Sequence, residues 1–205
     1  APGDLEGRSV YKIMAGCIVP RPIGFTTTVN KNDIRNAAPF SFFNMLCHMP
    51  PLVSLSIARD QRKKDTLINI EETGEFVVNI VNSAIAAAQD RCAEALPSEV
   101  DEIALSGLTA ADSLRVKPPR ILESPASFEC QAIRILPLPE SNHTLIIGRI
   151  VMMHISGNIL LPGHRIDHKA LDAIGRMTGN SYCRTSDTFT LAHDTLAVIS
   201  ALPER

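Results

Sequence analysis

Apolar and polar positions alternate from Leu52 to Ala58. Leu52, Ser54, Ser56 and Ala58 point one way, and Val53, Leu55 and Ile57 the other, which predicts a half-buried strand. The same period of two recurs at Phe76, Val78 and Ile80, and long strand patterns run over 126–136 and 144–155. Between those two lies a Pro-, Asn- and Ser-containing stretch, 137–143, that suits a long hairpin loop. A β-branched run over 23–29 and a phenylalanine-bearing run over 37–46 predict two more strands, joined through the polar turn 30–33. Helical spacing appears at Val10, Ile13 and Met14, over 65–73 up to Gly74, and in the alanine-rich stretch 83–96 with Ser83 as candidate N-cap. A single helical turn is expected near 99–105 inside the connector 97–125, and a short helix near 168–174. Residues 175–182 read as irregular, and the last twenty show no pattern.

Six or seven strands with short helices and no strand–helix–strand alternation predict a mainly β, antiparallel barrel with helical insertions. No internal repeat or composition break divides the 205 residues, so one domain over 1–205 is expected, with a core at about 8–184 and a C-terminal tail from 185. A glycine fingerprint of the G-x-G-x-x-G type is absent, which disfavours a Rossmann dinucleotide site. The net charge of −2 offers no basic face for a duplex. No apolar run approaches the roughly 20 residues that span a bilayer, and no basic-then-apolar leader is seen, so no membrane contact and a cytoplasmic location are expected. The five cysteines are widely spaced without a C-x-x-C pair. They read as buried reduced thiols, or as four of these and one reactive thiol. His164 and His168 are four apart, but Pro162-Gly163 puts the first in a turn, and no metal site is expected. No G-x-S-x-G elbow is present.

Four segments carry candidate chemistry. Arg59, Arg62, Lys63 and Lys64 crowd just ahead of a helix start at Asp65-Thr66. The free N–H groups and positive dipole end of a helix attract anions, so this corner suits a monophosphate; it equally fits a solvated basic loop before an ordinary helix. Ser54 and Ser56 on the preceding strand could point into the same pocket. The second segment holds Thr26, Thr27 and Thr28, which either present hydroxyls and amides to a polar ring edge or form a plain barrel strand. In the third, Asn36 to Asn44, small and polar residues are mixed with Phe40, Phe42 and Phe43, which suits the wall of a flat heteroaromatic ligand. Pro39 keeps part of that strand out of the hydrogen-bond ladder. The fourth, 175–182, offers Arg176 and Tyr182 to close over a pocket, or is a loop. His154, at a strand end, reads mainly as structural.

The same segments resemble the flavin reductase-like, FMN-binding split-barrel proteins, in particular their flavoredoxin and monooxygenase-reductase-component branch. The resemblance rests on Arg21-Pro-Ile-Gly with Thr27-Thr28, Asn36 with Ala38 to Phe42, Pro50-Pro51, Lys64-Asp-Thr66 with Asn69-Ile70, and Thr73 to Asn79. Further on it rests on Gly148 with His154-Ile155, and on Gly175-Arg176 with Tyr182. It implies a six-stranded Greek-key split barrel acting as a homodimer, with FMN in a groove near the subunit interface. By the same resemblance Lys64, Thr66 and Arg59 would hold the phosphate. Thr27, Thr28 and Ser41 would face the ring or ribityl chain, and Phe40 and Phe42 would line the site. With Thr26, Ser56, Asp65, Arg176 and Tyr182, these form the expected cofactor-binding set, with no catalytic side chain assigned. Thr178-Gly179 stands where the family carries Gly-Gly, and the loop 59–64 lacks glycine. The implied activity is NAD(P)H-dependent flavin reduction by hydride transfer to flavin N5, feeding a monooxygenase or another redox partner. An FMN electron carrier that ignores NAD(P)H, and a non-redox module for another phosphate ligand, remain alternatives.

Overall fold

The computed structural model describes residues 1–59, 62–94 and 96–191. Most of the expected tail (192–205), Asp60 and Gln61 of the basic loop, and Ala95 of the expected helix 83–96 lie outside the described residues. Seven strands form the main sheet: β1 (Gly24–Val29), β2 (Arg35–Phe40), β3 (Phe43–His48), β4 (Pro51–Ala58), β5 (Glu75–Ile80), β6 (Ala126–Pro137) and β7 (His143–Ile155). Every pairing is antiparallel, in the order β2-β1-β5-β6-β7-β4-β3.

The main sheet thus has seven strands where the resemblance implied six. The single strand expected over 37–46 is in fact two, β2 and β3, which lie on opposite edges of the sheet. The chain bends at Ser41-Phe42 and crosses from one edge to the other. Pro39 is tolerated because β2 pairs on one side only, with β1. No pairing joins β2 to β3 among the described residues, so the sheet is open in its hydrogen bonding. It still curls around one interior. Phe40 from one edge packs in the same buried cluster as Phe43, Leu55 and Ile57 from the other, around Phe76, Val78, Cys130 and Ile146.

Gly148 shows how tight that interior is. A Cβ there would lie 2.3 Å from Cζ of the fully buried Phe76. Helix α2 (Asp65–Thr73) closes the interior by burying Leu67 and Ile70, and ends at Gly74 in the left-handed region, φ 71°. A second apolar cluster lies outside the sheet. There Phe25, Ile23 and Ala37 meet Ile85, Cys92, Ile103, Ile121 and Ile174. The helix expected over 83–96 is shorter, a 3-10 turn at Ser83–Ile85 followed by α3 (Ala86–Arg91), and its cap is Asn82 rather than Ser83. The expected turn near 99–105 is α4 (Glu102–Ser106).

The segment read as irregular pairs into a separate three-stranded sheet made of Arg21–Pro22, Ile174–Arg176 and Tyr182–Arg184. The first helix, α1 (Gly7–Cys17), buries only Ala15 and leaves Tyr11, Ile13 and Met14 exposed. No helix among the described residues is long and apolar enough to cross a membrane.

Candidate functional site

A cavity of about 600 Å³ opens where the chain crosses between the sheet edges. Its floor and one wall are Ala38, Pro39, Phe40, Ser41 and Phe42, from the end of β2 and the bend after it. On the other side stand Ser56 and Ala58 of β4 and His143 at the start of β7. Phe42 and His143 stack with ring centroids 5.5 Å apart and planes 24° from parallel. The Ser56 hydroxyl is 3.0 Å from His143 Nδ1, which fixes the imidazole. This gives one end of the cavity a flat, largely apolar wall with a few hydroxyls.

The other end is the start of α2. Lys64 occupies the N-cap position with extended backbone and no side-chain cap. Its carbonyl accepts the amides of Leu67 (2.9 Å) and Ile68 (3.1 Å). The amides of Asp65 and Thr66 have no acceptor among the described residues, which leaves two donors at the positive end of the helix dipole. The nearby cations are not equivalent. Arg62 pairs with Asp65 at 2.7 Å and Lys63 with Glu71 at 2.6 Å, whereas Lys64 makes no ion pair among the described residues. Arg62, Lys63, Lys64, Asp65 and Thr66 all line the cavity.

A buried polar chain fixes this corner. Thr66 Oγ1 donates to Asn36 Oδ1 (2.9 Å), and Thr28 Oγ1 donates to the same oxygen (3.1 Å). Asn69 Nδ2 donates to Thr28 Oγ1 (2.9 Å). Asn36 Nδ2 in turn donates to the Glu102 carboxylate, which also accepts the Ala37 amide at 2.5 Å. Four elements, β1, β2, α2 and α4, are thereby tied together directly behind the helix start. Burial pushes the Glu102 carboxyl above its usual range, against the pull of the Ala37 amide and the Asn36 side chain.

The structure sorts the expected residues. Phe40, Ser41, Phe42, Ser56, Lys64, Asp65 and Thr66 come together at the cavity. Thr26, Thr27 and Thr28 do not. They are fully buried in β1, which is paired on both sides up to Thr27, and their hydroxyls bond to Gly24, Pro119 and Asn36 within the fold. Thr28 reaches the site only indirectly, by holding Asn36. Arg59 turns away: its guanidinium donates to the Ser141 carbonyl (2.8 Å) and its backbone amide to Asn142 (2.5 Å). Arg176 and Tyr182 lie together in the small sheet, the guanidinium 4.5 Å over the ring, and Tyr182 donates to Asp90 at 2.8 Å. They do not line the cavity.

His154 is engaged by the fully buried Glu129 at 2.5 Å, which supports its structural reading. Sequence reasoning missed Asn36 as the centre of the polar chain, Glu102, His143 and Tyr11, all at the cavity. Asn36 and Tyr11 lay inside or beside recognised segments, but nothing local marked Glu102 or His143. Among the described residues no cluster of three or more His, Cys, Asp or Glu side chains could hold a metal ion.

Fold and site together define a mainly β domain whose open cavity has a cationic helix terminus at one end and an aromatic wall at the other. The family model for the flavin reductase like domain matches residues 14–166, and the chain belongs to that family. An uncharacterized protein of Halalkalibacterium halodurans, BH2278, is 36% identical over 202 residues, 96% of each chain. Among solved structures, nitrilotriacetate monooxygenase component B from Bacillus cereus superposes with a TM-score of 0.89 at 35% identity, covering 93% of this chain and 96% of its own. The 2-nitrobenzoate 2-nitroreductase NbaA of Pseudomonas fluorescens superposes with a TM-score of 0.86 at 30% identity, covering 100% and 98%.

Proposed function

We propose that this chain is an FMN-dependent oxidoreductase that takes hydride from NAD(P)H and supplies reducing equivalents to a partner such as a monooxygenase. One observation carries the reading. A single cavity joins Lys64 and two helix-start amides, none of them partnered among the described residues, to a flat wall of Pro39, Phe40 and Phe42, with the volume of a typical cofactor pocket. A phosphate suits the first end and a planar ring the second. These donors argue for the fit, since amides and a cation without partners among the described residues are what an incoming dianion satisfies.

The chemistry that FMN supplies when bound is two-electron hydride acceptance at N5. The protein's own part is binding and placement. Lys64 and the Asp65 and Thr66 amides hold the phosphate, and Arg62 offsets the Asp65 charge beside it. Asn36 and Glu102 keep the helix start in position through Thr66. The stacked Phe42–His143 pair and Phe40 keep water from one face of the cavity, and Ser41 and Ser56 offer hydroxyls to polar ring edges. Hydride transfer itself needs no side-chain acid or base, and none is assigned. The exposed apolar side chains of α1 (Tyr11, Ile13, Met14) and of the β3 region (Met45, Leu46, Met49) support a homodimer whose interface borders the cavity.

Absorption spectra of the purified protein with FMN, before and after anaerobic NADH or NADPH, test this. The expected result is a bound yellow chromophore bleached by a nicotinamide. A protein that binds FMN but is bleached only by a partner is an electron carrier, and one that ignores FMN refutes the reading.

A further inference from the structure

Among the described residues Arg21 is the buried cation. Its side chain is in a residue only 6% exposed, and no carboxylate pairs with it among the described residues. Nη1 donates to the carbonyls of Ala15 (2.6 Å) and Ile18 (3.0 Å) at the end of α1, and Nη2 to Met177 (2.7 Å). Nε faces Ser41 Oγ at 3.4 Å. Carbonyl oxygens solvate a guanidinium without cancelling its charge, and the C-terminal dipole of α1 offsets about half a unit at most. The remaining positive potential sits inside the protein, where counterions screen it poorly. Ser41 is the one acceptor of the four that lines the cavity. Its oxygen takes the Nε–H, and its own proton has no acceptor among the described residues, so the hydroxyl is left to donate into the cavity with a cation behind it.

We infer that Arg21 is a positioning residue that acts through the Ser41 hydroxyl to favour an anionic occupant of the ring end of the cavity, and so raises the reduction potential of bound FMN. This rests on the FMN reading above. When hydride leaves the dihydronicotinamide, its C–H bond breaks, an N–H bond forms on the flavin, and the nicotinamide departs as the oxidised pyridinium. Two electrons and one proton have been gained, and the reduced ring keeps a negative charge if no second proton follows. A polarised donor with a cation behind it binds that form better than the neutral oxidised one.

The test is the two-electron potential of bound FMN, measured anaerobically against a reference dye, in wild type, Ser41→Ala, Ser41→Thr and Arg21→Lys. Ser41→Ala should lower the preference for reduced over oxidised FMN about tenfold, which is ~30 mV for a two-electron couple. Ser41→Thr, which keeps the hydroxyl, should restore it, and Arg21→Lys, which keeps the charge, should stay closer to wild type than Ser41→Ala. An unchanged potential in Ser41→Ala overturns the inference. A wild-type protein that binds no FMN removes the functional reading instead. If Arg21→Lys does not fold, the two Ser41 variants decide alone.

Discussion

Three adjacent cations make unequal predictions for phosphate binding, because among the described residues only Lys64 makes no ion pair. Lys63 is held by Glu71 and Arg62 by Asp65, while Lys64 has no ionic partner among the described residues and stands beside the Asp65 and Thr66 amides. A hydrogen bond to a charged group contributes about 1.5–3 kcal/mol, so Lys64→Gln should raise the Kd for FMN by about 10- to 150-fold. Lys63→Gln breaks a half-exposed surface pair worth no more than about 1 kcal/mol and should alter FMN binding less than about threefold. Arg62→Gln should fall between, since it leaves the Asp65 carboxylate uncompensated next to the phosphate. The assay is quenching of flavin fluorescence, with riboflavin as control. Riboflavin has the ring and lacks the phosphate, so its affinity should not respond to Lys64→Gln. High salt should narrow the FMN difference, because the cation is exposed. Equal losses for Lys63→Gln and Lys64→Gln, or a matching loss for riboflavin, would refute the placement of phosphate at this helix.

The remaining expectations concern the scaffold. Gly148→Ala places a methyl within 2.3 Å of Phe76 in a filled core, and should cost about 1–3 kcal/mol in urea unfolding, partly recovered in the double variant with Phe76→Leu. Glu129 is fully buried. Burial pulls its carboxyl upward, but the Leu114 amide, the His154 imidazole and the Arg115 amide outweigh this and hold it below the usual carboxylate range. Its stabilisation is therefore present above the unfolded value and lost as pH falls through the folded one. Glu129→Gln should lower Tm at neutral pH, with the gap closing in acid below about pH 4. Glu102 has the opposite sign. Its raised carboxyl stabilises the fold below the unfolded value and loses that contribution as pH rises through the folded one. Glu102→Gln should match wild type near pH 4 and exceed it in Tm at neutral pH. A wild-type advantage that grows with pH would contradict the assignment.

How far sequence reading reached can be seen at single residues. The bounds of α2 and β4 were evident because both depend on local chemistry: a nine-residue run ended by glycine, and strict alternation. The cationic corner at the start of α2 was legible for the same reason, since the start of a helix and its flanking cations are contiguous. The bend at Ser41-Phe42 was not. Apolar residues on both sides of it satisfy one strand pattern, and only the closure of the sheet requires the chain to leave one edge and join the other. The threonines of β1 looked available because hydroxyls in a row fit an edge strand equally well. In the fold β1 lies between β2 and β5, and the loop at Pro119 and the Asn36 side chain take up those hydroxyls. Glu102 and His143 meet the site from 66 residues beyond Asn36 and 87 beyond Ser56, distances at which sequence pattern carries no information. The sequence by itself determined most of the long strands, the helix Asp65–Thr73, the β-rich class and the charged helix start, because each follows from interactions among neighbouring residues. Tertiary structure alone decided which cations are paired among the described residues, which hydroxyls face the cavity and where its two ends meet, because those depend on partners that folding brings together from remote parts of the chain.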